Sequence, residues 1–199
     1  MDLLSQTALA LGLAWASGIR LYAVVFIAGG LQRLGVVRLP SGLAVLSHDW
    51  VLIASFVMFV GEFIADKIPA FDTVWDAFHT FIRIPAGTLL AWGAFGDRTP
   101  VAQVVVGLAG GALVTGTHLT KAAGRALINH SPEPFSNWAA SFTEELVVLA
   151  GLWLLHAHPL VFLVLLGLFV LAVIWLLPRT WRGLRWAFRT LFAGPAPAR

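Results

Sequence analysis

Six charged side chains and one histidine fall within the 22 residues EFIADKIPAFDTVWDAFHTFIR (62–83), whereas 50–61 and 84–95 on either side are almost purely apolar. Asp72, Asp76, His79 and Arg83 recur at i, i+4, i+7 and i+11. On a helix that spacing is one narrow stripe, with Val74, Phe78, Phe81 and Ile82 directed elsewhere. Glu62 and Asp66, four apart, form a second acidic stripe at the end of the preceding apolar run. The connection KIPAF is short, so the two helices should be antiparallel neighbours with their stripes facing.

A basic stripe follows in the second half. His118, Lys121, Arg125 and Asn129 recur at i, i+3, i+7 and i+11, Glu144 and Glu145 lie two to three turns into a later apolar run, and Arg20 stands in the middle of the first. These residues could do three kinds of chemistry. Glu62 and Asp76 could take an ion or a proton, with His79 titrating near neutral pH. His118, Lys121 and Arg125 could receive an anionic group. Asp72, Asp76 and His79 offer hard oxygen and imidazole ligands for a divalent metal, the one cofactor the sequence raises. Their D-x-x-x-D spacing also occurs in membrane enzymes that bind diphosphate through metal, but the glycine- and arginine-containing surroundings of such transferases are missing. No serine–histidine–acid arrangement or phosphate-binding glycine loop is present, and the glycines at 107–116 read as packing positions.

The elements that must hold these groups are membrane spans. The 199 residues are 59% hydrophobic and 12% charged, with a mean hydropathy of +0.85; a soluble domain is about a quarter charged. Cysteine is absent, which removes disulfides, thiolate nucleophiles and cysteine-based metal sites. A net charge of +3 with a pI near 10.2 reflects a few arginines, not a nucleic-acid surface.

Six runs of spanning length fit best, at about 4–32, 50–68, 72–95, 101–128, 131–158 and 160–177. They predict an all-α integral membrane protein, a polytopic bundle of about six transmembrane helices in one domain (1–178), followed by a basic-aromatic tail (179–199). The first run is long for one crossing, and ASGIR at 16–20 predicts a helix break around Ser17, Gly18 and Arg20. Ala14-Trp15-Ala16 mimics a cleavage site without the basic n-region of a signal peptide, so the segment reads as a retained first helix. Pro69 ends the second run, and Pro85 and Gly87 mark expected kinks in the third. Ser131, Pro132 and Glu133 have the character of a helix start.

SGIRL (17–21) resembles TGTHL (115–119), and each precedes a tryptophan-led run. This would organise the chain as two inverted three-helix repeats, 1–96 and 101–178. Gly107, Gly110, Gly111 and Gly116 would let another helix approach closely, which makes a homodimer an expectation. Four arginines soon after residue 177 put the C-terminus in the cytoplasm, and six spans put the N-terminus on the same side. The tail RTWRGLRWAFRTLF suits a helix lying among anionic headgroups.

Energetics decide how the charges are held. One charge at the bilayer centre costs about 3 kcal/mol, so the six between Glu62 and Arg83 would cost about 15–20 kcal/mol if central and unpaired, more than a typical domain's whole stability. They must be paired, wetted or held near an interface. Asp66, Lys67 and Asp72 fit a connection in water. Glu62, Asp76, His79, Arg83 and Arg20 fit an internal polar site, with Lys121, Arg125, Glu144 and Glu145 as its counter-charges.

SGIRLY, EFIADKIPAFDTVWDAFHTFIRIPAG, HLTKAAGRALINHSPEPFSN and TEELVVL, in this order, resemble the bacterial membrane family known as domain of unknown function 4126, over about 17–159. The resemblance implies a multi-pass bundle and no activity. From the residues, the leading expectation is a small transporter or channel-like permease of the inner membrane. It would move an unidentified solute, an anion or a lipid headgroup, with proton or ion coupling. The alternatives are a metal-dependent enzyme acting on a lipid or isoprenoid phosphate, and a non-catalytic assembly protein whose charges are interhelical ion pairs.

Overall fold

The computed structural model describes the backbone of residues 1–128 and 135–192, and their side chains except at 69, 70, 73 and 177–192. Among the described residues every element is helical: α1 (Leu3–Arg33), a short 3₁₀ helix (Ser41–Ser47), α2 (Asp49–Ala65), α3 (Pro69–Ala94), α4 (Pro100–Ile128), α5 (Phe135–Ala157) and α6 (Pro159–Phe192). Asn129 and the expected helix start at Ser131, Pro132 and Glu133 lie outside the described residues. Four helices are long and apolar enough to cross a membrane: α1, α4, α5 and the first 18 residues of α6. The 3₁₀ helix and α2, bent by 68° at their junction, make a fifth if taken together. The protein is a helical membrane bundle.

Local sequence sets the helix starts. The Asp2 carboxylate accepts a hydrogen bond from the Ser5 amide (3.2 Å) and caps α1. Its bonding with Ser5 holds its carboxyl below the usual range. Pro69, Pro100 and Pro159 open α3, α4 and α6, where the first turn has no use for the missing N–H. Pro85 and Gly87 lie inside α3, which continues through both as one 26-residue helix.

The arrangement departs from six straight crossings at α1. Arg20 has φ −141° and ψ 73°, a non-helical conformation inside an otherwise continuous helix. The break is therefore at Arg20 itself and not at Ser17-Gly18. It divides α1 into two limbs, 3–19 and 21–33, that run in opposite senses along their neighbours. In the first limb, Gln6 donates to the Ala94 carbonyl and Gly18 packs on Thr117, so this limb is antiparallel to α3 and parallel to α4. In the second, Phe26 meets Phe56 and Arg33 pairs with Asp49 (2.6 Å), so it is antiparallel to α2.

Both ends of α1 therefore come to one end of the bundle. Arg98, just after α3, donates to Gln6 Oε1 (2.5 Å), and Ser41 beside the α2 entrance donates to Asp97 (2.5 Å). The first helix folds back, with Arg20 at its apex. A straight crossing for α1 is not what these contacts describe.

Two glycines permit this doubling-back. A Cβ on Gly18 would lie 2.8 Å from Thr117 Cβ and 2.9 Å from the Val114 carbonyl oxygen, and one on Gly29 would collide with the Leu46 carbonyl. The two segments that match as a repeat thus touch, at Gly18 and Thr117. However, α4 is unbroken there and runs parallel to the first limb, whereas inverted copies would be antiparallel. The glycines of α4 are also used within the chain: Gly107 faces Trp92, Gly110 faces Ala91 and Ala14, and Gly111 faces Thr88. These three glycines pack within the chain, whereas a Cβ on Gly116 would meet only Val173 Cγ1, at 3.9 Å. The tail continues α6 as backbone helix to Phe192, in line with the apolar span and not as a separate element; residues 193–199 lie outside the described residues.

Candidate functional site

The polar stripes converge at the apex of α1. Glu62 lies near the end of α2 and Asp66 caps it, α3 contributes Asp76 and Arg83, α4 contributes Lys121 and Arg125, and α5 contributes Glu144 and Glu145. The apolar residues between the stripe members face out of the bundle: Val74 and Phe78 are each 66% exposed and Phe81 is 81% exposed. Arg20, Glu62, Asp66, Asp72 and Arg83 are completely buried. Asp66 and Asp72 were expected to sit in water at the turn, but that turn is drawn over the polar core. Lys67 alone stays at its margin, with Nζ 3.0 Å from the Phe63 ring centre and donating to the Phe63 carbonyl (2.9 Å).

Arg20 is the hub. Its guanidinium pairs with Asp66, lies 3.1 Å from Glu144 and 3.2 Å from Glu145, and is 3.9 Å from Glu62. It also donates to the hydroxyl (3.0 Å) and carbonyl (3.2 Å) of Ser141. Arg83 pairs with Glu62 and lies 3.1 Å from Asp76. Arg125 makes a two-pronged pair with Glu144 (2.8 and 3.1 Å), reaches Asp66 at 3.2 Å, and donates to the Asn137 carbonyl at 3.2 Å. Lys121 sits centrally, with Glu62, Asp66, Asp76 and Glu144 all at 3.4–3.8 Å. Charges this deep persist only when paired, since one stranded partner costs about 3–5 kcal/mol.

The two histidines belong to different settings. Arg83 Nη1, which can only donate, points at His118 Nδ1 (3.3 Å), so Nδ1 carries a lone pair and the proton is on Nε2. That Nε2 donates to Thr80 Oγ1 (2.7 Å), which in turn donates to the Asp76 carbonyl (2.8 Å). His118 is thereby fixed as a neutral imidazole in one tautomer. His79 donates from Nδ1 to the Trp75 carbonyl (2.7 Å), one turn back, and stacks on the Trp75 ring with centroids 4.1 Å apart. It lies beside the ion pairs and joins none of them.

Asp72, Asp76 and His79 do not converge as ligands. Among the described residues no three His, Asp or Glu side chains are gathered as a metal site, and Nδ1 of His79 is committed to a carbonyl. Nor does the polar core line either of the two best-formed cavities. The larger, about 630 Å³, is apolar and lies between the α1 limbs and α5, with Leu9, Leu13, Ile27, Leu31 and Leu152 among its walls. The smaller, about 340 Å³, lies at the end of the bundle beside Arg38, Asp97 and Arg98.

The structure adds Asp66, Ser141, Asn137 and Thr80 to the residues picked out by sequence. Asp66 was signalled by its spacing of four from Glu62. Ser141 was also legible, three and four residues before the glutamate pair. Asn137 and Thr80 carry no sequence signal, because a lone amide or hydroxyl in an apolar helix is ordinary.

Comparison with known proteins gives a family and nothing more specific: no curated protein and no solved structure matches the chain. One family model matches residues 7–179. The chain belongs to the family described as domain of unknown function 4126.

Proposed function

We propose that this protein is a small multi-pass transporter of the inner membrane, held here in an occluded state, with the charge network as the solute's path through the bundle. The observation that carries this reading is the apex of α1, where a broken helix brings Arg20 against carboxylates from α2 and α5. Irregular backbone at membrane depth is tolerated where it is buried in protein or lines a cavity, and discontinuous helices are a recurring device of solute sites. A network serving stability alone has a cheaper solution, because apolar residues of similar volume often replace buried ion pairs without loss.

The solute would be a small anion or an anionic headgroup, moved with a proton or ion. Since Lys121 and Arg125 are occupied by Asp66 and Glu144, such a group would enter by displacing a carboxylate. With α1 re-entrant, α2 to α6 would make five crossings and put the termini on opposite sides. The arginines that follow the apolar part of α6 then favour a cytoplasmic C-terminus, where they would meet anionic lipid. The re-entrant limbs would enter from the outer side.

Accessibility tests this. Single cysteines at Thr80 and Ser141, introduced into a chain with none of its own, are expected to react with membrane-impermeant thiol reagents applied from either side. Reaction from one side only would reduce the site to a pocket, and none in a folded protein would reject transport. A second reading, a non-catalytic assembly protein, draws on the complete pairing of Lys121, Arg83 and Arg125. It predicts that charge-exchanged Asp76 and Lys121 restore stability with no effect on any solute.

A further inference from the structure

Among the described residues the network holds one carboxylate too many. Glu62, Asp66, Asp76, Glu144 and Glu145 face Arg20, Arg83, Lys121 and Arg125. An uncompensated charge at this depth is not tolerated. One more positive charge must therefore be taken up, most simply as a proton.

Of the described histidines, neither of the two beside the network can hold it. His118 Nδ1 receives an N–H from Arg83, and a proton there would point at a guanidinium. His79 Nε2 is buried with no partner, so protonation would create a buried N–H without an acceptor. The site is a carboxylate.

Four of the five ion-paired carboxylates have two or three cations within 4 Å. Glu62 has Arg83, Lys121 and Arg20; Asp66 has Arg20, Arg125 and Lys121; Asp76 has Arg83 and Lys121; Glu144 has Arg125, Arg20 and Lys121. Among the described residues Glu145 has only Arg20 Nε, at 3.2 Å, a wholly buried N–H that forms no hydrogen bond of proper geometry. That guanidinium is already shared with Glu62, Asp66 and Glu144. The other charged groups acting on Glu145 are the carboxylates Glu62, Asp66 and Glu144 and the ammonium of Lys67, which is turned onto the Phe63 ring. The Glu145 side chain is also 16% exposed, as is that of Glu144, which is held by three cations, against 0% for Glu62 and Asp66 and 6% for Asp76, so a proton can reach it.

We propose that Glu145 is the proton-binding site of the network, which deepens the transport reading above and rests on it by making the proton the coupling ion. With a proton on Glu145 the network is neutral and the apex of α1 is held by Asp66 and Glu144. Loss of that proton to water restores the carboxylate and draws Arg20 toward it. This weakens the hold of Asp66 and Glu144 on the apex.

Infrared difference spectroscopy of the full chain in liposomes reads this without any solute. A carbonyl-stretch band of a protonated carboxylic acid is expected to titrate with pH, to shift on ¹³C-labelling of glutamate, and to be missing in Glu145→Gln. It should persist in Glu145→Asp with a changed midpoint and be indifferent to replacing sodium with choline. A titrating band that survives in folded Glu145→Gln, or fails to shift with labelled glutamate, overturns the assignment. So does the absence of any titrating band in the unsubstituted protein, or a band that appears only on removing sodium. The labelling needs no variant, so misfolding of Glu145→Gln leaves the test intact. A correct band with no two-sided thiol access would sink transport and leave the proton site standing.

Discussion

Lys121 Nζ lies 3.1 Å from the carbonyl oxygen of Ile19, the residue immediately before the break in α1. A helical bond from that carbonyl would have to span the non-helical Arg20, so the ammonium of α4 stands where the next turn would have donated. The same ammonium is central to four carboxylates, and therefore joins the backbone break to the charge network. Replacing Lys121 with Met should destabilise the protein by about 3–5 kcal/mol and speed amide exchange around 20–24. Thermal unfolding in detergent and hydrogen exchange check the two effects; loss of stability with unchanged exchange would detach the lysine from the break.

The two-pronged Arg125–Glu144 pair gives a second prediction. Each single alanine substitution should cost about 3–5 kcal/mol by leaving a buried charge behind. The double substitution should cost clearly less than their sum, with a coupling of about 0.5–3 kcal/mol. A double-mutant cycle on thermal unfolding measures it, and strict additivity would mean that the pair seen at 2.8 Å contributes nothing specific.

The close approach of α1 and α4 gives a third. Gly18→Val must displace Thr117 and the Val114 carbonyl, and is expected to cost about 1–3 kcal/mol or more. Gly124→Ala is its control on α4, because a Cβ there meets nothing within 4 Å. Equal melting temperatures for the two variants would contradict the doubled-back packing.

A fourth concerns the fold-back itself. Leu3 and Leu34, at the two ends of α1, are 60% and 77% exposed, and Ile68 in the α2–α3 turn is 52% exposed. Single cysteines at Leu3 and Leu34 should be labelled from the same side of the membrane, and one at Ile68 from the other. Labelling of Leu3 and Leu34 from opposite sides would restore a straight first crossing.

Much of the site was legible in sequence because helical periodicity survives burial. The spacing of Asp72, Asp76, His79 and Arg83 identified a stripe, and the need to neutralise it pointed to Arg20, Lys121, Arg125 and the glutamate pair. Hydropathy also located the helices to within a few residues, except at the end of α6, which runs on to Phe192. What it could not reveal was direction. A run of 31 residues looks the same whether it crosses once or turns back, and the turn is made by one residue, Arg20, that is neither glycine nor proline. The stabilising partners of that turn lie more than forty positions away, in Glu62, Asp66, Lys121, Ser141 and Glu144. Asp66 and Asp72 were misplaced for a related reason: a polar turn ordinarily faces water, and only the packing of α4 and α5 against it shows that it does not.

Synthesis turns the hub at Arg20 into a question of time. The chain emerges from its N-terminus, so the guanidinium enters the membrane region before any of its acids exist. Ser141, whose hydroxyl and carbonyl oxygens both accept from it, follows 121 residues later. At roughly 5–20 residues per second, the arginine waits on the order of ten seconds before its coordination is complete. The apex of α1 cannot take its final depth until α5 has been made. Assembly of this bundle therefore ends at its beginning, and a nascent chain stalled before Glu144 should leave its first hairpin shallow, with Arg20 still near the interface.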